Sequence, residues 1–433
     1  MIPARIIARL EFMLRRIERI AVVDADRAAK LRRVVLLTIL IYKRRSMRER
    51  PAAYVSHNVR FRGIWRNWRD AGLEHLEDKA MIRFCGFSKD IVSSIERGLA
   101  EDPDMASLVP GSRYWKRLDP RARPTCDVLD VVVLVLREIA TNGFQHQLET
   151  DMGIHRGVLG KFLVRGKRAM LKYMKAHIAA RMGLLPVEVG DAAFYALEVQ
   201  HGECPRVGKY PYSMDGTITP IQKPADPDQY AAYWSAAKKT SATNNILLVA
   251  TTGVIIAYRV GLPGTINDAR GAEPIMSMLL DPAENPALHG VLVDYGFSVY
   301  CHAFSDLAPV ARPYQPTKDP YIADPILRAS VAEFSRWVCT CRQYNEWVNG
   351  SAKRGFPRMN VRVNISQLPR LIADQELYFH LYNFRVRMCN WSEARTVYFE
   401  HAQARFAEQG LAYDDAHNVF DSIEALVQHP DDD

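Results

Sequence analysis

Along the first half of the chain apolar residues recur at helical spacing; in the second half they alternate or run together. Ile6, Leu10, Leu14 and Ile17 share one helix face. Ser88 is a helix start signal, and Ile91, Ile95 and Leu99 continue its pattern. Asp127 to Thr141 (DVLDVVVLVLREIAT) predicts a strongly apolar helix that Asn142-Gly143 ends. Gln145 to Met152 predicts a short helix stopped at Gly153, and Ile154 to Arg181 a longer one. Past Pro186 the pattern changes. Lys209 to Ile221 reads as a strand, and Asn245 to Thr252 with Val254 to Val260 as a hairpin about Thr252-Gly253. Then come a helix from Asn267 to Leu280, with Asn267 or Asp268 as its cap, and a buried strand from Gly290 to Asp294. A helix from Ser298 to Leu307, a strand from Val310 to Tyr314 and one long helix from Asp324 to about Gly350 follow. Residues 364–410 are helical again.

Three strands, a helix, a strand, a helix, a strand and a helix make a mixed α/β order. It fits an RNase H-like five-stranded mixed sheet with flanking helices, preceded by an all-α N-terminal region. Short helix, glycine turn, longer helix at 145–181 is the helix-turn-helix outline. The division expected is a basic helical region at 1–75, offered as an oligomerisation surface, and a helical helix-turn-helix DNA-binding domain at 76–185. An α/β catalytic domain at 205–395 and a C-terminal helix with an acidic tail at 396–433 complete it.

A length of 433 residues leaves room for about two to three domains. With 48% hydrophobic and 24% charged residues, the composition excludes a disordered, collagenous or coiled-coil chain. The longest apolar run, Val34 to Tyr42, has 9 residues; a membrane-spanning helix needs about 20. Arg5, Arg9 and Glu11 interrupt any secretory signal. Seven cysteines without a CxxC pair read as reduced thiols of an intracellular protein. The formal charge is only +8, so its location matters more than its size. No acid occurs from Met152 to Val187, where Arg156, Lys161, Arg165, Lys167, Arg168 and Lys172 cluster. That is an electrostatic footprint suited to DNA phosphates, or the basic solvent face of an amphipathic helix. Lys43 to Arg50 (KRRSMRER) is of the kind read as a nuclear import signal, so a nuclear location is expected.

Two-metal phosphodiester chemistry needs a few carboxylates at one point, because Mg²⁺ prefers hard oxygen ligands. Asp215 in the first strand and Asp294 at the end of GVLVD would point to one place, since the first and fourth strands are neighbours in such a sheet. Either aspartate alone also reads as a strand-end turn former. The long helix offers Glu333 or Glu346, which are 13 residues apart and so lie on different faces. Arg342 shares a face with Glu346, as an orienting group, a phosphate contact or a plain surface pair.

Five short motifs then occur in order: Tyr212-Ser-Met-Asp215-Gly-Thr217, Leu262-Pro-Gly-Thr-Ile-Asn-Asp268, Leu292-Val-Asp294-Tyr-Gly-Phe297, Arg312-Pro-Tyr-Gln-Pro316 and Arg342-Gln-Tyr-Asn-Glu346-Trp347. They resemble the consecutive motifs of the PIF/Harbinger transposases, with their DDE superfamily endonuclease domain, over about Lys209 to Asn390. Asn267, Phe297 and Asn349 depart from the family pattern, and none of them is a ligand position. The resemblance implies a catalytic and metal-binding triad of Asp215, Asp294 and Glu346, with Asp268 and Arg342 in support. It implies two Mg²⁺ or Mn²⁺ ions, DNA as substrate, and cleavage followed by strand transfer of a 3′-OH end. It also implies binding to terminal inverted repeats, a homodimer or higher oligomer and a Myb-like accessory DNA-binding protein, while the short apolar runs imply no membrane. A domesticated DNA-binding protein without cleavage activity and an RNase H-like nuclease are the alternatives.

Overall fold

In the computed structural model the described residues are 63–106, 126–141, 145–154, 156–184, 210–281, 290–301 and 310–389. The N-terminal helix with its basic run Lys43 to Arg50, the Asn142-Gly143 stop and the tail at 396–433 lie outside them. Arg62–Asp433 make up one compact unit.

Its helical part comprises α1 (Ile64–Ala71), α2 (Asp78–Cys85), α3 (Lys89–Leu99), α4 (Val128–Ile139), α5 (Gln145–Met152) and α6 (Arg156–Ala176). Helix α4 is the hub. Asp127 starts it by accepting from the Asp130 N–H at 3.0 Å, while the Asp130 carboxylate accepts from the Asp127 N–H at 3.1 Å. This reciprocal cap satisfies two amide donors that a helix start leaves unpaired. Val131 to Leu136 are then almost wholly buried. Helix α6 lies close against α4: a Cβ on Gly166 would stand 2.7 Å from Val131 Cγ1. The glycine that weakens α6 in isolation therefore admits its neighbour.

The α/β part follows as β1 (Tyr212–Pro220), α7 (Pro227–Tyr233), β2 (Trp234–Ser235), β3 (Thr240–Ala250), β4 (Ile255–Pro263), α8 (Asp268–Leu280), β5 (Val291–Leu292) and β6 (Val310–Ala311). Helices α9 (Pro325–Cys341), α10 (Gln343–Gly355) and α11 (Leu368–Cys389) complete it. The strand order is β2-β3-β1-β5-β6, with β4 also on β3. Strands β1, β3 and β4 are antiparallel, while β5 and β6 run parallel to β1. This six-stranded mixed sheet is compatible with an RNase H-like core. Strand β3 is buried from Ser241 to Ala250. Its Ile246, Leu248 and Ala250 meet α8, while Leu247 and Val249 join the cluster that holds Tyr344, Val348 and Leu377. Period-two alternation with both faces covered explains why the segment reads as an unbroken apolar run.

Four expectations change. The sheet has six strands rather than five, because the two-residue β2 pairs Trp234 with Ser241, too short a segment for any periodicity. The strand expected to reach Tyr314 stops at Ala311, ahead of Pro313, which has no N–H for a ladder. The single helix from Asp324 divides into α9 and α10 at Arg342, where the Asn345 N–H bonds the Arg342 carbonyl at 3.1 Å in a tightened turn. A 3-10 turn spans Tyr295–Tyr300 where a helix from Ser298 is expected, and residues 302–309 lie outside the described ones.

Helix α11 joins the two parts. Asn383 exchanges hydrogen bonds with the Ile255 backbone, both at 2.8 Å, and also donates to the Arg181 carbonyl at 3.1 Å. Buried Arg387 donates to the carbonyls of Ala179, Arg181 and Gly183. One buried cluster accordingly runs from Trp65 to Val386.

Candidate active site

Strand β1 pairs with β5 only at Tyr212–Val291 and Ser213–Leu292. Asp215 and Asp294 each lie two residues beyond the Ser213–Leu292 pair, on parallel neighbouring strands. Both therefore emerge where the sheet opens between β1 and β5. The Asp215 Oδ1 atom accepts from the Gly216 N–H at 2.9 Å. Asp294 Oδ1 accepts from the Gly296 N–H at 2.8 Å and so caps the turn that follows it.

Asp268 joins them from α8. Asn267 does the capping, accepting from the Arg270 N–H at 2.9 Å, which frees the Asp268 carboxylate to turn inward. It accepts from Asn244 Nδ2 at 2.6 Å and lies against Gly216, where a Cβ would stand 2.3 Å from Asp268 Oδ1. The glycine after Asp215 is thus a gap that a second carboxylate fills.

Arg342 sits at the joint between α9 and α10. Its guanidinium donates to Asp215 Oδ2 at 3.0 Å and to Glu346 Oε1 at 3.4 Å. The pair with Glu346 is thus more than a surface i,i+4 contact, because the same guanidinium reaches a strand 127 residues away. Glu346 is the most exposed of the set, its side chain 60% accessible against 18% for Asp215. Asn345, fully buried, holds the first turn of α10 down by donating to the Ser213 carbonyl at 3.0 Å, and Asn349 donates to its Oδ1 at 3.0 Å. Glu333 is exposed on α9.

Charge crowding marks the cluster. Burial pushes the Asp215 carboxyl up to about 6; Arg342 opposes the shift, and Asp294 and Asp268 add to it. Burial likewise raises Asp268, with Asn244 opposing and Asp294 reinforcing. Among the described residues no three His, Cys, Asp or Glu side chains stand together as a ready metal-ligand set. The donor chemistry nonetheless fits a hard divalent cation: carboxylate oxygens from several elements, held in mutual repulsion that a cation relieves.

The basic helix is less bare than its sequence. Lys161, Arg168 and Lys172 of α6 are exposed and Arg165 is partly so. Lys172 pairs with Asp102 at 3.1 Å. Lys167 turns inward and is 5% exposed, between Glu138 at 2.8 Å and Asp374 at 2.9 Å. It belongs to the joint between α4, α6 and α11 and presents no charge to solvent, a correction to its place in the DNA-facing set. The Arg156 side chain lies outside the described residues. Sequence reasoning passed over Asn244, Asn345 and Lys353. Asn345 stands beside Glu346 and Lys353 at helical spacing from it, while Asn244, in β3, carried no local signal at all.

Residues 214–383 match the family model described as DDE superfamily endonuclease. The matched segment contains Asp215, Asp268, Asp294, Arg342 and Glu346. It implies an enzyme of the nuclease or transposase class with DNA as substrate, and DDE endonuclease domains generally use divalent metals. No curated protein and no solved structure matches the chain. Among the described residues no helix is long and apolar enough to cross a membrane.

Proposed function

We propose that the chain is a PIF/Harbinger-type DNA transposase whose reacting centre is Asp215, Asp294 and Glu346. The observation that carries this reading is the register of β1 and β5, which brings the two aspartates out at one opening, together with Arg342 tying Asp215 to Glu346. Held by these three side chains, two Mg²⁺ or Mn²⁺ ions would supply Lewis-acid activation of the phosphodiester and stabilise its attacking and leaving oxygens.

The protein's own part is orientation. Asn345 fixes the start of α10 and with it the Glu346 backbone, Asn244 aims Asp268, and Arg342 offsets the charge of the cluster before DNA arrives. In the first transfer a water oxygen replaces the 3′ oxygen at phosphorus and frees a 3′-OH at the transposon end. In the second, that 3′-OH attacks a target phosphodiester in line. Lys161, Arg165, Arg168 and Lys172 of α6, in the helix-turn-helix role, contact the terminal inverted repeats. Joining two ends calls for a homodimer or higher assembly, with a Myb-like protein as accessory, in the nucleus.

The test is nicking of an end-labelled inverted-repeat duplex by the full chain with Mg²⁺ or Mn²⁺, beside RNA and hybrid substrates. Wild type should cut DNA. Asp215→Asn, Asp294→Asn and Glu346→Gln should each abolish cutting while DNA binding, read by fluorescence anisotropy, persists. Cutting that survives Asp215→Asn overturns the assignment, binding without cutting by the wild type favours a domesticated DNA-binding protein, and preference for the hybrid favours an RNase H-like nuclease.

A further inference from the structure

Among the described residues, no strand pairs with the β5-facing edge of β1 between Ser213 and the isolated Ile221–Val363 bridge just past its end. One side chain on α10 lies along that edge. Lys353 Nζ donates to Thr217 Oγ1 at 2.7 Å and to the Ile218 carbonyl at 3.3 Å. Both acceptors are neutral. Among the described residues no carboxylate pairs with this ammonium, although it is only partly exposed. A half-buried cation without a counter-charge is costly to keep. An ammonium has three N–H donors, so one remains to be satisfied. Burial and a second cation, Lys238, pull the Lys353 ammonium below the usual lysine range.

Lys238 stands on the turn Ala236 to Lys239 between β2 and β3, exposed, and near enough to Asp268 to act on its carboxyl. Lys239 beside it takes φ 50°, the left-handed region that a non-glycine residue adopts only in a tightly specified turn. Lys353 is seven residues past Glu346, about two helical turns, so both lie on one face of α10. Lys238 acts electrostatically on both Lys353 and Asp268, so two cations stand near the carboxylate cluster toward the end of β1 that pairs with the start of β3.

We propose that Lys353 and Lys238 form a phosphate seat that grips the backbone of the DNA strand beside Asp215, holding the phosphate next to the one attacked. The seat rests on the functional reading above and adds to it where the strand runs, along the open edge of β1 from Thr217 toward the β2–β3 turn. The carboxylates repel DNA; the seat supplies the compensating attraction at a fixed distance from them. Phosphate contact of this kind positions a strand without reading its sequence.

The test is duplex binding by the full chain, with anisotropy measured across a KCl series without divalent metal. For every phosphate that a variant no longer neutralises, the slope of log affinity against log salt should flatten by about 0.9. Lys353→Met and Lys238→Ala should each reduce the slope by about that much, on unrelated DNA sequences alike, while Lys353→Arg retains it. Should Lys353→Met fail to fold, Lys238→Ala, on an exposed turn, still decides the matter. A purely structural role for Lys353, tying α10 to β1, would lower the melting temperature and leave the slope unmoved. Unchanged slopes in folded variants of a wild type that binds and cuts DNA overturn the seat alone. A wild type that binds no DNA overturns the seat and the functional reading together.

Discussion

Gly216 shows how much one missing atom does at this site. Aspartate-glycine after a strand reads as a turn, yet Asp215-Gly216 lies inside β1, paired with Leu247 and Ile246 of β3. The glycine leaves the space that the Asp268 carboxylate fills. Gly216→Ala should fold normally, because a strand conformation suits alanine. It should displace Asp268 and slow DNA nicking roughly 10- to 100-fold, the usual penalty for moving a site by about 1 Å. Single-turnover nicking beside far-ultraviolet circular dichroism checks this, and a fully active Gly216→Ala would remove Asp268 from the account. Asn345 makes the complementary point. It stands next to Glu346 in sequence, and only the fold shows its amide anchoring the helix to the Ser213 carbonyl.

At the scale of elements, α6 and the α9–α10 joint depart most from their sequences. Helix α6 carries basic residues with no acid nearby in the chain, yet acids arrive from elsewhere: Glu138 from α4, Asp374 and Glu376 from α11, and Asp102. Lys167 is the buried member. Removing one partner of a buried ion pair typically costs about 3 to 5 kcal/mol, because the other charges stay buried. Lys167→Met should therefore lower stability by about 3 kcal/mol in urea unfolding. The salt slope of DNA binding should stay unaltered, and a flatter slope would return Lys167 to the DNA-facing set. At Arg342 the break between helices sets the guanidinium opposite Asp215 and the next turn's Glu346, a geometry that a continuous helix does not specify.

Across the whole molecule the helical and α/β parts share one buried cluster, and two imidazoles sit at the joint between them. His177 Nδ1 accepts from the Ala179 N–H at 3.1 Å and its ring packs against Phe384. His380 Nδ1 lies 2.8 Å from the Ala180 carbonyl, and its Nε2 3.4 Å from the Tyr258 hydroxyl. Burial holds His177 below its ordinary value of 6.5. Burial does the same for His380, with Lys175 adding and the Ala180 carbonyl and Glu376 opposing. Both favour the neutral ring in the folded state. Their stabilisation is present above pH about 6.5 and is lost as pH falls through their lowered folded values. From pH 7 to pH 5 these two rings pull the melting temperature down, while Asp215, pushed up to about 6 by burial, gains its proton and offsets part of that drop. His177→Asn keeps a capping oxygen and cannot be protonated, so its drop should be smaller; an equal drop would clear His177 of the effect.

Periodicity set out most of the order of helices and strands, though not the two-residue β2 or the break at Arg342, and the resemblance of five short motifs to a known family pointed to Asp215, Asp294 and Glu346. Both signals are local, written in residues that stand near one another along the chain. Which cations stay exposed, which glycine admits a carboxylate, and which lysine lies along an open strand edge depend on partners far away in sequence. Lys167 with Asp374 and Arg342 with Asp215 are such pairs. Only the tertiary structure decided these, because burial and charge pairing are properties of packed surfaces and leave no period in the chain.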